Sequence, residues 1–188
     1  MVMGAPFLPK RARRAFRGVL FDVYQWRQRM FDGSYETFER VVRVPSVQII
    51  AERGGKVLLL RERQPGQKGE RMSMPGGQAM PGESPLATAK RELLEEAGLA
   101  ADRWVLLKSY TGMHKVIWHT YLFAAVGCRR SGRPRPDSGE RIRQQWVPLD
   151  RLIDLYTGRD NLLVDLLKVR YDARRRREFL GKIGLPGL

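Results

Sequence analysis

The segment GGQAMPGESPLATAKRELLEEAGLA, residues 76–100, puts four glutamates into a chain whose formal net charge is +15. Three of them, Glu92, Glu95 and Glu96, fall within five positions. Ser84 followed by Pro85 is a helix start, a cap and then a first-turn proline. Gly98 is placed to end that helix in the left-handed conformation. Between them Leu86, Ala89, Leu93 and Ala97 form an apolar stripe expected to be buried. Glu92 lies three residues before Glu95 and four before Glu96, so the three carboxylates reach one neighbouring surface. Each like-charge pair at that spacing costs roughly 0.2–0.5 kcal/mol in an isolated helix. The end of a helix, where the dipole disfavours anions, makes the placement worse. Lys90 and Arg91, just before the cluster, relieve part of this repulsion.

The chain has 188 residues, of which 43% are hydrophobic, a length that suits one globular domain. No apolar run approaches the length of a membrane span, so no membrane partner is expected. The single cysteine, Cys128, excludes an intramolecular disulfide framework and points to a reducing, cytoplasmic setting. Positive charge, 35 Lys and Arg against 20 Asp and Glu, is concentrated at the ends. No acid precedes Asp22, and Arg174 to Arg177 are consecutive. Such a field suits an anionic partner, a nucleotide or a nucleic acid, or else a solvated basic face. The acid-free start also resembles a transit peptide, although it runs directly into strand-like sequence.

Residues 1–18 read as a flexible or helical basic arm, and 19–44 as a strand extension that is a candidate dimer element. Residues 45–180 read as the main domain. Asp32-Gly33-Ser34 and Gly54-Gly55 are hairpin signals, the first joining two strands of the extension and the second joining SVQIIAE to KVLLLRER. After the glutamate helix come the strands WVLLKSY and KVIWHTYLFAAV, then RQQWVPL, then a short helix from Asp150. A longer helix follows over NLLVDLLKVRYDARRRREFL, with Leu162, Leu163, Leu166, Leu167 and Val169 or Arg170 as its stripe. This order, β-β-β-β-α-β-β-β-α, is that of a mixed sheet covered by helices.

Clustered carboxylates behind a glycine-rich loop suit Mg²⁺ or Mn²⁺, hard cations that take a few protein oxygens, keep water and bridge to substrate phosphates. Residues 77–99 also resemble the Nudix box, G-x(5)-E-x(7)-R-E-U-x-E-E-x-G-U with U aliphatic. Gly77, Glu83, Arg91, Glu92, Leu93, Glu95, Glu96, Gly98 and Leu99 meet every fixed position. With the flanking strands the likeness spans about residues 40–175 and implies the Nudix α/β/α sandwich.

The resemblance implies metal-dependent hydrolysis of a nucleoside diphosphate linked to another group. By position Glu92 and Glu96 are the main metal ligands, Glu95 is a third ligand or a base, and the carbonyl of Gly76 or Gly77 completes the shell. Arg91 orients the carboxylates, and Glu83 either ligates a second metal or pairs with Arg91. Glu140 is the candidate general base outside the box, with Asp137 in reserve.

Of the two histidines, His119 reads as packed rather than catalytic. Trp118 reads as core; Tyr24, Trp26 and Arg27 either cover a base, build a dimer interface or pack within the sheet. Arg61 and Trp26 are the candidate substrate contacts.

The N-terminal hairpin resembles the extra sheet of ADP-ribose pyrophosphatases, which implies a homodimer and a nucleotide-sugar substrate such as ADP-ribose. The proline common in those enzymes after the box is absent from SYTGMHKV. Two alternatives remain: an RNA 5′-pyrophosphohydrolase, for which no RNA-binding motif is present, and a nucleotide sensor that does not cleave.

Overall fold

The computed structural model describes residues 8–112, 115–156 and 172–184. The strands in chain order are β1 (Arg13–Arg17), β2 (Phe21–Arg29), β3 (Tyr35–Arg53), β4 (Lys56–Arg63) and β5 (Arg71–Ser73). Helix α1 (Pro85–Ala97) follows, then β6 (Leu99–Gly112), β7 (Val116–Arg130) and β8 (Arg141–Val147). Helices α2 (Leu149–Tyr156) and α3 (Ala173–Lys182) complete the described chain.

The sheet is mixed, as expected. β3 runs parallel to β7 and antiparallel to β2 and β4, while β4 takes β5 and β8 on antiparallel ladders. Side-chain alternation then sorts the core into two layers. Val47, Ile49 and Ala51 of β3, Leu58 and Leu60 of β4, and Phe123 and Ala125 of β7 pack beneath Ala89, Leu93 and Ala97 of α1. Ile50, Val57, Leu59, Leu122 and Ala124 face the other way, against Leu152 and Ile153 of α2 and Leu180 of α3. Central strands buried on both faces read as continuous apolar runs, which is why VLLL and LFAA lack alternation. The result is the α/β/α sandwich.

Three expectations change. Residues 13–17 are an edge strand on β2, not a flexible or helical arm. All five of its positions are exposed, so no periodic apolar signal announced it. β3 is one strand of 19 residues that serves both hairpins, and positions 44 and 45 lie inside it, so the N-terminal extension is continuous with the main sheet. Finally, Asp172 is extended and accepts hydrogen bonds from the N–H groups of Arg174 and Arg175, capping α3 where the sequence suggested one helix from 161 to 180. The Leu162–Val169 stripe and His114 lie outside the described residues.

The α1 boundaries are those expected: Ser84 Oγ accepts from the Ala87 N–H at 3.2 Å, and Gly98 closes the helix at φ 67°. Its buried row is rotated, however. Leu86 is 38% exposed, whereas Thr88 and Glu96 are buried beside Ala89, Leu93 and Ala97. The face that packs on the sheet therefore carries a carboxylate with it.

Candidate active site

The loop before α1 is stitched to β3. Ile49 donates to the Pro75 carbonyl at 2.8 Å and Val47 to that of Gly77 at 2.9 Å, while Ala79 donates to the Pro45 carbonyl at 2.9 Å. This fixes Gly76 and Gly77 directly against the glutamate face of α1. The Gly76 N–H donates to Glu96 Oε2 at 2.8 Å. A Cβ on Gly77 would lie 2.2 Å from Glu92 Oε1, so the glycine is the space that the carboxylate occupies.

Arg91 holds the rest together. Its Nε and Nη2 donate to the two oxygens of Glu83 at 3.0 and 3.1 Å, Nη1 donates to Glu92 at 2.9 Å and Glu95 at 2.8 Å, and Nη2 also reaches the Gln78 carbonyl at 2.8 Å. Glu83 accepts further bonds from the Met80 N–H and the Thr88 hydroxyl. Arg91, above all, holds the Glu83 carboxyl down at about 2. Of its two expected roles, pairing with Arg91 is the one its contacts support, since both oxygens are already engaged.

Glu92 and Glu96 behave differently. Burial is the main cause that pushes Glu92 up to about 7, against the pull of Arg91, and pushes Glu96 up to about 9, against the bond from Gly76. Nearby carboxylates add to both shifts: Glu95 and Glu140 act on Glu92, and Glu92, Glu62 and Glu140 on Glu96. Glu140, on the loop before β8, is itself raised by burial and then by Glu62 and Asp137, and it accepts from Gln64 Nε2 at 3.2 Å. Glu83, Glu92, Glu95, Glu96, Asp137 and Glu140 line one cleft with Gly76 and Gly77.

Glu62 is the residue that sequence reading missed. It continues the inward row of Leu58 and Leu60 on β4, is 6% exposed, and accepts from the Ser73 hydroxyl and from Arg71 Nη2. The same alternation turns Arg61 outward to an ion pair with Glu70 at 3.6 Å, away from the cleft lining. Trp26 is not brought to the cleft either. It is 8% exposed, packs on Phe38 and donates to Gln28. Within this chain both sit in the sheet surroundings rather than at the carboxylates. His119 is part-buried and bonded to Thr111 Oγ1 at 2.8 Å, in keeping with a packed histidine.

The donor set fits a hard divalent cation: all oxygen, crowded with negative charge, and partly withdrawn from water. Among the described residues no three acidic, histidine or cysteine side chains are gathered closely enough to hold a metal ion by themselves. Mg²⁺ does not need such a group, because it binds through one or two carboxylates and completes its shell with water and substrate phosphate.

Compared with known families, residues 40–166 match the NUDIX domain. The chain belongs to the Nudix family. A Nudix relative from Bifidobacterium longum (strain NCC 2705), described as a nucleoside triphosphate pyrophosphatase/Nudix hydrolase fusion protein, is 31% identical over 83 residues. That match covers 44% of this chain but only 17% of the relative, so the chain spans about a sixth of the relative's length. The Nudix fold is shared with a crystal structure of an ADP compounds hydrolase at a TM-score of 0.66 and 23% identity, over 96% of this chain and 97% of that one. A Nudix hydrolase from Nitrosomonas europaea gives a TM-score of 0.50 at 24% identity, over 70% and 90% of the two chains. The first of these spans the N-terminal extension as well as the Nudix domain.

Proposed function

We propose that this Nudix pyrophosphohydrolase uses Mg²⁺ or Mn²⁺ to cleave the pyrophosphate of a nucleoside diphosphate linked to another group, a nucleotide sugar such as ADP-ribose in the first instance. The observation that carries the reading is the pair of withdrawn carboxylates, Glu92 and Glu96, beside an arginine already saturated by Glu83, Glu92 and Glu95. Arg91 has no donor capacity to spare for neutralising Glu96, so the cluster gains from an added cation. Glu92 and Glu96 hold the metal, with Glu95 as a third ligand or a base and the Gly76 or Gly77 carbonyl at the edge of the shell. When bound, the metal neutralises phosphate charge and lowers the pKa of water.

The chain's own residues do the remainder. Glu83 clamps Arg91, and Arg91 orients Glu92 and Glu95. Glu140, withdrawn from water and beside the carboxylate face, accepts the proton of the attacking water, with Asp137 in reserve. The water oxygen bonds to one phosphorus, that phosphorus's bond to the bridging oxygen breaks, the bridging oxygen leaves with the other phosphate, and two phosphate monoesters result. The N-terminal sheet, with Phe16, Phe21 and Tyr35 on one face at 59%, 42% and 53% exposure, supports a homodimer through that face. Cys128, buried and unpaired, agrees with a reducing, cytoplasmic location. Among the described residues no helix is long and apolar enough to cross a membrane.

The test is a substrate panel of ADP-ribose, GDP-mannose, NADH, diadenosine polyphosphates, oxidised dNTPs and triphosphorylated RNA, each with Mg²⁺ or Mn²⁺. Metal-dependent release of a nucleoside monophosphate from a nucleotide sugar is expected. Preference for the RNA favours the RNA 5′-pyrophosphohydrolase, and binding without cleavage across the panel favours the sensor.

A further inference from the structure

Besides Arg91 the cleft is lined by Arg71, which is paired with Glu62, and by Arg43, whose surroundings are the opposite of Arg91's. Arg43 sits on β3 with its Cα opposite Phe21 of β2 on one side and Trp118 of β7 on the other. Its guanidinium carbon lies 4.0 Å from the centroid of the Trp118 ring and 5.7 Å from that of Phe21. Stacking of this kind fixes a long side chain and strips water from one face of the guanidinium, without using its in-plane N–H donors. Among the described residues no carboxylate pairs with Arg43. Its Nε is buried without an acceptor, as is Nε1 of the Trp118 beneath it.

Its position matters as much as its isolation. Arg43 lines the same cleft as Glu92 and Glu96. Two residues further along β3, the Pro45 carbonyl takes the Ala79 N–H, and the neighbouring Gln78 carbonyl takes Arg91 Nη2. Arg43 and Arg91 thus flank one loop: the inner guanidinium is spent on carboxylates, and the outer is immobilised, partly desolvated and unpaired. A fixed guanidinium fork matches the oxygen geometry of a phosphate and binds it more strongly than a neutral donor does. The carboxylate side of the cleft repels a bare pyrophosphate, so a substrate gains most from a cation placed opposite it.

We propose that Arg43 is a phosphate-recognition residue, its guanidinium held ready by Trp118 and Phe21 to bind the phosphate oxygens of the substrate on the β3 side of the cleft. This rests on the phosphoanhydride reading of the site, but it can be tested without turnover. AMP, ribose 5-phosphate and adenosine contain no pyrophosphate to cleave, and their affinities for the Mg²⁺-loaded protein can be measured by calorimetry. Arg43→Gln removes the charge; Arg43→Met keeps an aliphatic stem over Trp118 and covers the case in which the glutamine variant fails to fold; Arg43→Lys restores a charge without the fork.

For either neutral variant the dissociation constant of AMP should rise by about tenfold or more, the size of a lost charge-assisted bond, with partial recovery in Arg43→Lys. Adenosine should bind the variants as it binds the wild type. Loss with ribose 5-phosphate as well as AMP marks the phosphate itself, whereas loss confined to AMP and adenosine marks base stacking and overturns the proposal. Unchanged AMP affinity, or failure of wild type to bind AMP, overturns it too. If no pyrophosphate substrate is turned over yet the AMP effect holds, the hydrolase reading fails and Arg43 keeps its role. If ADP-ribose is cleaved with the same KM by Arg43→Met, the reverse applies.

Discussion

Glu83 grips Arg91 through both carboxylate oxygens, at 3.0 Å to Nε and 3.1 Å to Nη2. Glu83 comes from the loop, Arg91 from the second turn of α1, and the Ser84 cap lies between them. The fork turns the remaining guanidinium edge toward Glu92 and Glu95, so the loop sets where the helix carboxylates point. Glu83→Gln removes one half of a bidentate charge pair while keeping the size of the side chain. We expect its kcat to fall about 10–100-fold, the range for outer partners of metal-binding groups. KM for substrate should change little, because Glu83 has no oxygen left for it. A steady-state comparison checks this, and a KM effect as large as the kcat effect contradicts it.

The two glycines of the loop carry different constraints and should fail differently. A Cβ on Gly77 meets the Glu92 carboxylate at 2.2–2.7 Å, the far end of a flexible side chain. A Cβ on Gly76 meets the Val47 carbonyl oxygen at 2.2 Å and the Gln48 Cα at 3.0 Å, both backbone of β3. Gly77→Ala should therefore fold with a melting temperature near that of wild type and lose activity, since Glu92 is displaced. Gly76→Ala should be destabilised by about 1–3 kcal/mol, as expected when overpacking forces backbone to shift. Thermal melts beside activity assays separate the two.

Glu62 should matter although no motif marks it. It is 6% exposed, sits near enough to Glu96 and Glu140 to raise both carboxyls, and is tied down by Ser73 and Arg71. Glu62→Gln removes one charge from the carboxylate face. We expect the apparent affinity for Mn²⁺ to weaken by about tenfold or more, by analogy with outer groups of other metal sites. A metal titration of activity reads this directly, and an unchanged half-saturation point refutes it.

These residues show why part of the site was legible and part was not. Glu83, Arg91, Glu92, Glu95 and Glu96 lie on one loop and helix, so a local pattern holds them at fixed spacing and the chain alone displays it. The caps Ser84 and Gly98 were legible for the same reason. Glu62 and Arg43 reach the cleft only through strand pairing, and their inward direction depends on registers between β3, β4 and β7 that no short window encodes. Leu86 misled because hydrophobicity favoured it, while the packed face of α1 is rotated toward Glu96. Arg61 is turned away from the cleft because it is one residue from Glu62 along β4, and one residue along a strand is the opposite face.

Cys128 gives a prediction independent of the site. Its side chain lies among Ala97, Leu99 and Phe123, it is 2% exposed, and burial pushes its thiol up to about 12. The thiolate is the reactive form, so at pH 8 the native thiol is both neutral and inaccessible. Reaction with a thiol-specific disulfide reagent at pH 8 should be slow in the folded protein and rapid in denaturant. Fast stoichiometric labelling without denaturant counts against the packing described.

Glu96→Gln is the sharpest test of the carboxylate cluster, because fold and function should respond in opposite directions. Glutamine keeps an oxygen for the Gly76 N–H, which now bonds Glu96 Oε2 at 2.8 Å, and preserves the volume beside Leu93. It removes a carboxyl that is buried at 5% exposure and that burial, with Glu92, Glu62 and Glu140, keeps protonated up to about pH 9. Holding a carboxyl protonated at neutral pH in the fold costs stability that an amide does not, so the metal-free variant should melt at or above the temperature of metal-free wild type. Its activity should fall by more than the roughly 10–100-fold associated with outer metal partners, since Glu96 is assigned to the metal directly. Added Mg²⁺ should raise the melting temperature of wild type, by the linkage of ligand binding to folding, and leave that of the variant nearly fixed. A variant that melts low with and without metal would make Glu96 a structural group; one that retains turnover would remove it from the site.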